Sequence, residues 1–283
     1  MTQVVVFKSA RQKFHADLAV ALLCTDATGI PTIADKHSKP SVAFATGMVE
    51  RCGCKTGGAR LVAQRSGQQF EEAVKEFLEA TFLQLGHLRP GTWTVSRGGG
   101  NISMFEQFAH LDELDDLAKA NAVLATALGS DYLIKPDIII GREPEPDEVI
   151  NASQAIVDES VAKCAPLRRC NNLKPIFHAS ISCKWTLRSD RAQNARSEGL
   201  NLAKNRKGNS PHICVVTAEP VPGRIASIAL GTGEIDCVYH IALPELRAAV
   251  EDTDYDDSKE MLGRMVEGRR LRDISDLPMD LAI

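Results

Sequence analysis

Apolar residues recur at helical spacing over Ala10 to Leu23, Phe70 to Leu85 and Asp112 to Leu128, and the last two stretches are followed by Gly86 and Gly129. Glycine there can take the left-handed position that closes a helix. Shorter runs rich in Ile, Val and aromatic residues predict strands over Asp137 to Ile140, Ile176 to Trp185, Ile213 to Thr217, Ile225 to Leu230 and Ile235 to Ile241. Two more helical patterns, Pro244 to Val250 and Ser258 to Arg269, flank the acidic cluster EDTDYDD at 251–257, which reads as a solvated turn. Helix and strand patterns alternate, so the expected fold class is α/β (α+β), a mixed β-sheet flanked by helices. No repeat and no long Pro/Gly/Ser-rich linker divides the chain. The simplest organisation is one domain over residues 1–283, carrying insertions.

The strand over Ile176 to Trp185 is the most informative segment. With period two, Phe177, Ala179, Ile181, Cys183 and Trp185 face one way and His178, Ser180, Ser182 and Lys184 the other. A lysine on the polar face of a strand most often ends in water. Here, however, a helical pattern follows at once through Ala192, Ala195, Gly199 and Leu202, with Asp190 in N-cap position and Gln193 three residues on, as in a capping box. Glu198 falls beside the small apolar stripe of that helix, where a carboxylate needs a cation or a metal, since burying a lone charge is costly. Lys184 is the obvious partner. Asp137, after Pro136, opens a short Ile-rich strand and could equally cap a turn. Together, an Asp, a Lys and a Glu converging on one point would offer hard oxygen ligands and one cation, which suits metal-assisted phosphodiester hydrolysis.

Composition narrows the alternatives. With 44% hydrophobic and 25% charged residues, the chain is that of an ordinary folded protein. Its N-terminus offers only a four-residue apolar run before Lys8, Arg11 and Lys13, so neither a secretory signal nor a membrane span is expected. The cysteines are then expected to be reduced thiols. Cys52-Gly-Cys54 and Cys164-x5-Cys170 lack zinc-site spacing. Gly98-Gly99-Gly100 and Gly231-Thr232-Gly233 match neither phosphate-loop pattern, so no nucleotide cofactor is expected.

Pro136-Asp137, Ser182-Cys183-Lys184 and the displaced Glu198 resemble the variant PD-(D/E)XK active site of type II restriction endonucleases. In the common motif an acid stands two residues before the lysine. Ser182 occupies that place here, and the acid is found on the following helix, as in one branch of the family. The string from Ser182 to Leu202 is similar nearly residue for residue to the NgoMIV-like restriction endonucleases, which cut GCCGGC, and the similarity runs from the first helix to Asp276-Leu-Pro-Met-Asp-Leu281. The resemblance implies a restriction-endonuclease-like core over about residues 66–241, with 143–173 as an insertion. It also implies a two-metal Mg2+ site, double-stranded DNA as partner, a homotetramer built from two dimers, and a cytoplasmic, prokaryotic setting.

By the same resemblance, Asp137 and Glu198 would ligate metal, with Cys183 contributing its backbone carbonyl, and Lys184 would act in catalysis. Glu71 would complete the site, although alone it reads as an acid favouring a helix N-terminus. Arg188, Asp190 and Arg191 would read the central CCGG. Arginine pairs bidentately with guanine and aspartate accepts from cytosine, though elsewhere such a cluster would be a capped helix with surface arginines. Asp35 and Arg224 would read the outer G·C pair, and Gln64 the minor groove. The alternatives are a nuclease of the same fold reading CCGG or a degenerate outer pair, and a DNA-binding protein that does not cut. The net charge of −4 argues mildly against general DNA binding, but residues 163–207 carry eleven Lys and Arg against two acids, leaving the rest of the chain at −13. A local basic, DNA-facing segment is expected.

Overall fold

A computed structural model describes residues 5–26, 28–53, 63–99, 101–129, 134–231 and 233–283. In chain order the elements are α1 (Val6–Ala21), α2 (Lys39–Arg51), α3 (Ala63–Thr81), β1 (Trp93–Arg97), α4 (His110–Ala120), α5 (Ala122–Leu128), β2 (Ile138–Arg142), α6 (Asp147–Ile150), β3 (Ile176–Lys184), α7 (Ser189–Asn205), β4 (His212–Thr217), α8 (Pro222–Ala229), β5 (Cys237–His240), α9 (Leu243–Glu251), α10 (Asp256–Glu267), β6 (Leu271–Asp273) and α11 (Leu277–Asp280).

The six strands lie side by side in sequence order. β1, β2 and β3 pair antiparallel, while β3, β4, β5 and β6 pair parallel. The parallel half needs crossover connections, and α7, α8 and the α9–α10 pair supply them. Because β2 alone runs the other way, one edge of the sheet collects the carboxyl ends of β1, β3, β4, β5 and β6 and the start of β2. The register places Lys184, Thr217, His240 and Asp273 in one row along that edge, and Arg97 and Asp137 arrive there from β1 and the approach to β2. The carboxyl edge of a parallel sheet is where ligands bind in open α/β folds. β6 extends the sheet past residue 241.

Helices cover the sheet because the strands are apolar on both faces: Ile138, Ile139 and Ile140 are all buried, as are Val215 and Val216. The face of β3 read as polar is covered too, with Ser180 and Ser182 buried. One hydrophobic cluster runs through the molecule, with Phe44, Phe70, Phe108 and Phe177 fully enclosed. Each such side chain contributes about 1.5–3 kcal/mol by burial. α3 packs on β1 and β3, with the Phe70 ring 5.0 Å from that of Trp185, so the helix carrying Glu71 is held against the lysine strand. None of the described helices is long and apolar enough to cross a membrane.

Several elements depart from the sequence pattern. Ile225 to Leu230 is helical, not a strand. Pro222 at the first turn of α8 needs no N–H acceptor, and Ile225, Ile228 and Ala229 bury one helical face. The stretch from Asp112 to Leu128 is two helices, because Asn121 takes extended backbone angles and its side chain accepts from the N–H groups of Val123 and Leu124, capping α5. α3 starts seven residues before Phe70, over a polar stretch that carries no apolar period. Gly86 does not take the left-handed position, having φ −55° after a short 3-10 turn over Phe82–Leu85. Gly129, at φ 63°, does lie at positive φ.

Candidate active site

Asp137 is the hub of the sheet edge. Its Oδ2 accepts the Cys183 backbone N–H at 2.7 Å and the Lys184 ammonium at 3.0 Å, with the Ser182 hydroxyl at 3.4 Å. The Ser182 hydroxyl also donates to Glu198 Oε2 at 3.0 Å, and Lys184 Nζ stands 3.6 Å from the same oxygen. The antiparallel β2–β3 pair delivers Asp137 and Lys184 to the same edge, and α7 returns Glu198 over them one helix later. The three residues singled out from the sequence thus meet within ion-pair distance. Lys184 is not a solvated strand lysine, its side chain being only 16% exposed.

Burial sets the electrostatics. It pushes the Glu198 carboxyl above the usual carboxylate value, with Asp137 adding to the effect and Lys184 opposing it. For Lys184, burial works against the charged form, but Asp137 and Glu198 outweigh it and hold the ammonium protonated above its ordinary value. Burial also pushes the Cys183 thiol up, so it is no thiolate. One cation facing two carboxylates leaves uncompensated negative charge among hard oxygen donors, which fits a divalent cation. Among the described residues no three His, Cys, Asp or Glu side chains converge on one point. A metal held here would therefore take the Asp137 and Glu198 carboxylates and the Cys183 carbonyl, and complete its shell with water and phosphate, as Mg2+ does.

Glu71 is tied to the same sheet edge through Arg97, the last residue of β1. Its carboxylate is engaged by Arg97 at 2.9 Å, and Arg97 also reaches Glu72 at 3.4 Å. Arg97 ends β1, and the next residue, Gly98, donates its N–H to the Asp137 carbonyl at 2.7 Å. A Cβ at Gly98 would stand 1.3 Å from the Pro136 carbonyl oxygen, so glycine is required for the chain to lie this close. Arg97 escaped the sequence reading because only the β1–β2 pairing brings it to the site.

The residues matched to base reading gather on the same side. Arg188, not Asp190, is the N-cap of α7: its carbonyl accepts from Ala192 N–H at 3.0 Å, and no side chain caps the helix. The capping box is absent because the helix begins at Ser189, which puts Asp190 inside the first turn instead of at the flanking position from which a side chain caps the free N–H groups. Asp190 is left exposed in the first turn. Arg191 is held by the Thr186 hydroxyl and carbonyl at 3.1 and 3.4 Å. Arg188 lines a hollow with Thr32, Asp35, Lys36 and His37. Asp35 pairs with Arg224 Nη2 at 2.6 Å. The Gln64 side chain lies outside the described residues.

Glu219 was missed, although an acid in the apolar run Val215-Val-Thr-Ala-Glu-Pro-Val221 signals a satisfied buried carboxylate. It is fully buried and accepts the Leu187 N–H at 2.8 Å. The basic stretch 163–207 is not uniformly DNA-facing, since Arg168 is buried against Asp147 at 2.5 Å and Lys174 donates to the Ser103 carbonyl. Cys24, Cys214 and Cys237 are buried free thiols, and Cys164 and Cys170 are exposed free thiols. Cys54, Gly100 and Thr232 lie outside the described residues.

The family model described as the NgoMIV restriction enzyme matches residues 14–283. The chain is 50% identical, over an alignment of 283 residues, to the type II restriction enzyme NgoMIV of Neisseria gonorrhoeae, covering 98% of this chain and 99% of that protein. A solved restriction endonuclease PspGI–substrate DNA complex overlaps 98% of this chain and 90% of that one, at 12% identity and a TM-score of 0.33.

Proposed function

Because the chain belongs to the NgoMIV restriction enzyme family and is a type II site-specific deoxyribonuclease, we propose that it cuts both DNA strands at GCCGGC with Mg2+, leaving 5′ overhangs and 5′-phosphates. The observation that carries this reading is the meeting of Asp137, Lys184 and Glu198 at one sheet edge, one turn away from Arg188, Asp190 and Arg191. Bound there, Mg2+ would supply Lewis acidity at the phosphate and lower the pKa of a water.

The chain's own residues do the rest. Asp137 and Glu198 hold the metal, and Ser182 fixes the Glu198 carboxylate through its hydroxyl. Lys184, kept protonated by its two acids, donates to the attacking water or to a phosphoryl oxygen as charge develops. Glu71 lies behind them in an ion pair with Arg97. Arg188 and Arg191 suit guanine and Asp190 suits cytosine, while Asp35 and Arg224 extend the same code to the outer pair. Retention of both Asp35 and Arg224 favours the six-base site over CCGG alone. The family likeness also implies a homotetramer engaging two sites.

The test is cleavage of plasmids carrying no, one or two GCCGGC sites, and one carrying only CCGG in other contexts, by the purified protein in Mg2+. Cutting confined to GCCGGC plasmids is expected. Failure to cut any plasmid refutes the reading, and cutting at every CCGG refutes the outer-pair assignment. Sedimentation with and without cognate DNA checks the tetramer.

A further inference from the structure

Glu219 stands in the turn from β4 to α8 with none of its surface exposed. Its Oε2 accepts the Leu187 N–H at 2.8 Å, its Oε1 accepts the Val221 N–H at 3.2 Å, and Arg224 Nη1 approaches Oε1 at 3.7 Å. The main chain adds one link between the turns, Ala218 N–H donating to the Trp185 carbonyl at 3.2 Å, and within its own turn Glu219 N–H donates to the Thr217 hydroxyl at 3.1 Å. The turn that follows the lysine strand and the turn that follows β4 are therefore stitched together by this carboxylate and one main-chain hydrogen bond.

What that carboxylate touches gives it a role. Leu187 directly precedes Arg188 and the cluster matched to the central bases. Arg224 holds Asp35, and that pair is matched to the outer base pair. Both groups of readers reach Glu219 through a single contact each, and neither Glu219 oxygen is free to face DNA. We propose that Glu219 is a positioning residue for base discrimination, fixing the Leu187–Arg188 backbone and the Arg224 guanidinium in one frame so that central and outer pairs are read together. This rests on the base-reading roles given above to Arg188, Asp190, Arg191, Asp35 and Arg224.

The carboxylate form matters because each oxygen must accept. A glutamine keeps one accepting oxygen and turns an amide N–H against either a backbone N–H or Arg224. Protonation removes an acceptor in the same way, and burial raises the Glu219 carboxyl to about 7. The charged and titratable groups facing it are Arg224 from α8, Asp35 from the loop before α2, and His240 from β5, whose ring lies against the Glu219 main chain.

The experiment measures binding of the full-length protein, with Ca2+ in place of Mg2+, to duplexes containing GCCGGC, ACCGGT and GCGCGC. The wild-type preference is established first. If another duplex binds best, the GCCGGC reading fails, and the variants are compared on the duplex that is preferred. Glu219→Gln is expected to lose about tenfold of discrimination against both altered duplexes, whereas Arg224→Ala loses it against the outer-pair change alone. A folded Glu219→Gln that keeps either ratio at the wild-type value overturns the proposal. Should that variant not fold, Glu219→Asp decides: it keeps the charge but shortens the reach to Leu187 and Arg224, so it should lose discrimination against both duplexes, and a folded Glu219→Asp that keeps either ratio at the wild-type value overturns the proposal equally.

Discussion

The Asp35 carboxylate and the Arg224 guanidinium, 189 residues apart in sequence, meet at 2.6 Å with each side chain 32% exposed. The arginine holds the Asp35 carboxyl below the usual carboxylate range. The pair is thus oriented before DNA arrives, and in the proposed base-reading role each partner exchanges the other for a base edge. Asp35→Ala and Arg224→Ala should each cost about tenfold in discrimination at the outer G·C pair. Because they form one unit, the double variant should lose little more than either single one. Competition cleavage between GCCGGC and outer-pair variants measures this. Losses that add fully would show that the two act independently.

At the sheet edge, Lys184 is the only cation among the described residues that pairs with both Asp137 and Glu198. In the proposed mechanism Lys184→Ala removes the donor that meets developing charge, while the turn beyond Thr186 keeps its own contacts. Cleavage should fall by about 10²- to 10³-fold or more, with binding of GCCGGC duplexes in Ca2+ kept within a few-fold. Single-turnover cleavage beside a filter-binding titration separates the two. A variant that cuts at the wild-type rate would remove Lys184 from the mechanism.

The meeting of Lys184 and Glu198 was legible because it is written locally: a period-two strand ending in lysine, then a helix whose small apolar stripe admits one glutamate. The mixed sheet was legible for the same reason, from short Ile- and Val-rich runs. What was not legible depends on contacts distant in sequence. Arg97 joins the site only through β1 pairing with β2, and Glu219 acquires its role from Leu187 and Arg224. The error at Ile225 to Leu230 has a different cause. A short apolar run fits strand and helix alike, and Pro222 at the first turn settles it as a helix.

Gly98 offers a test of how closely β1 must approach Asp137. Its N–H donates to the Asp137 carbonyl at 2.7 Å, and a methyl group there would stand 1.3 Å from the Pro136 carbonyl oxygen. The obstacle is backbone, so the end of β1 must move. Gly98→Ala should destabilise the fold by about 1–3 kcal/mol and reduce cleavage more than DNA binding, because Asp137 shifts relative to Lys184. Urea unfolding gives the first quantity and single-turnover cleavage the second. A variant with wild-type values for both would show that the approach is looser than described.

Glu219 also makes a stability prediction whose sign is opposite to its effect on discrimination. Its carboxyl sits at about 7 in the folded chain against an ordinary 4.5, chiefly because of burial. Between those values the folded protein holds a proton that the unfolded chain has released. Stability from this group is therefore fully present below about 4.5 and is lost as pH rises through about 7, by up to about 3 kcal/mol. Glutamine is neutral throughout and carries no such slope. Across this window the wild type should lose stability relative to Glu219→Gln as pH rises, while its discrimination between duplexes improves. Urea unfolding of both proteins from about pH 5 to 8, set beside duplex binding at the same pH values, measures the two trends. Parallel stability profiles for the two proteins would mean that Glu219 is ionised throughout, and would leave its hydrogen bonds to Leu187 and Val221 unaffected by pH.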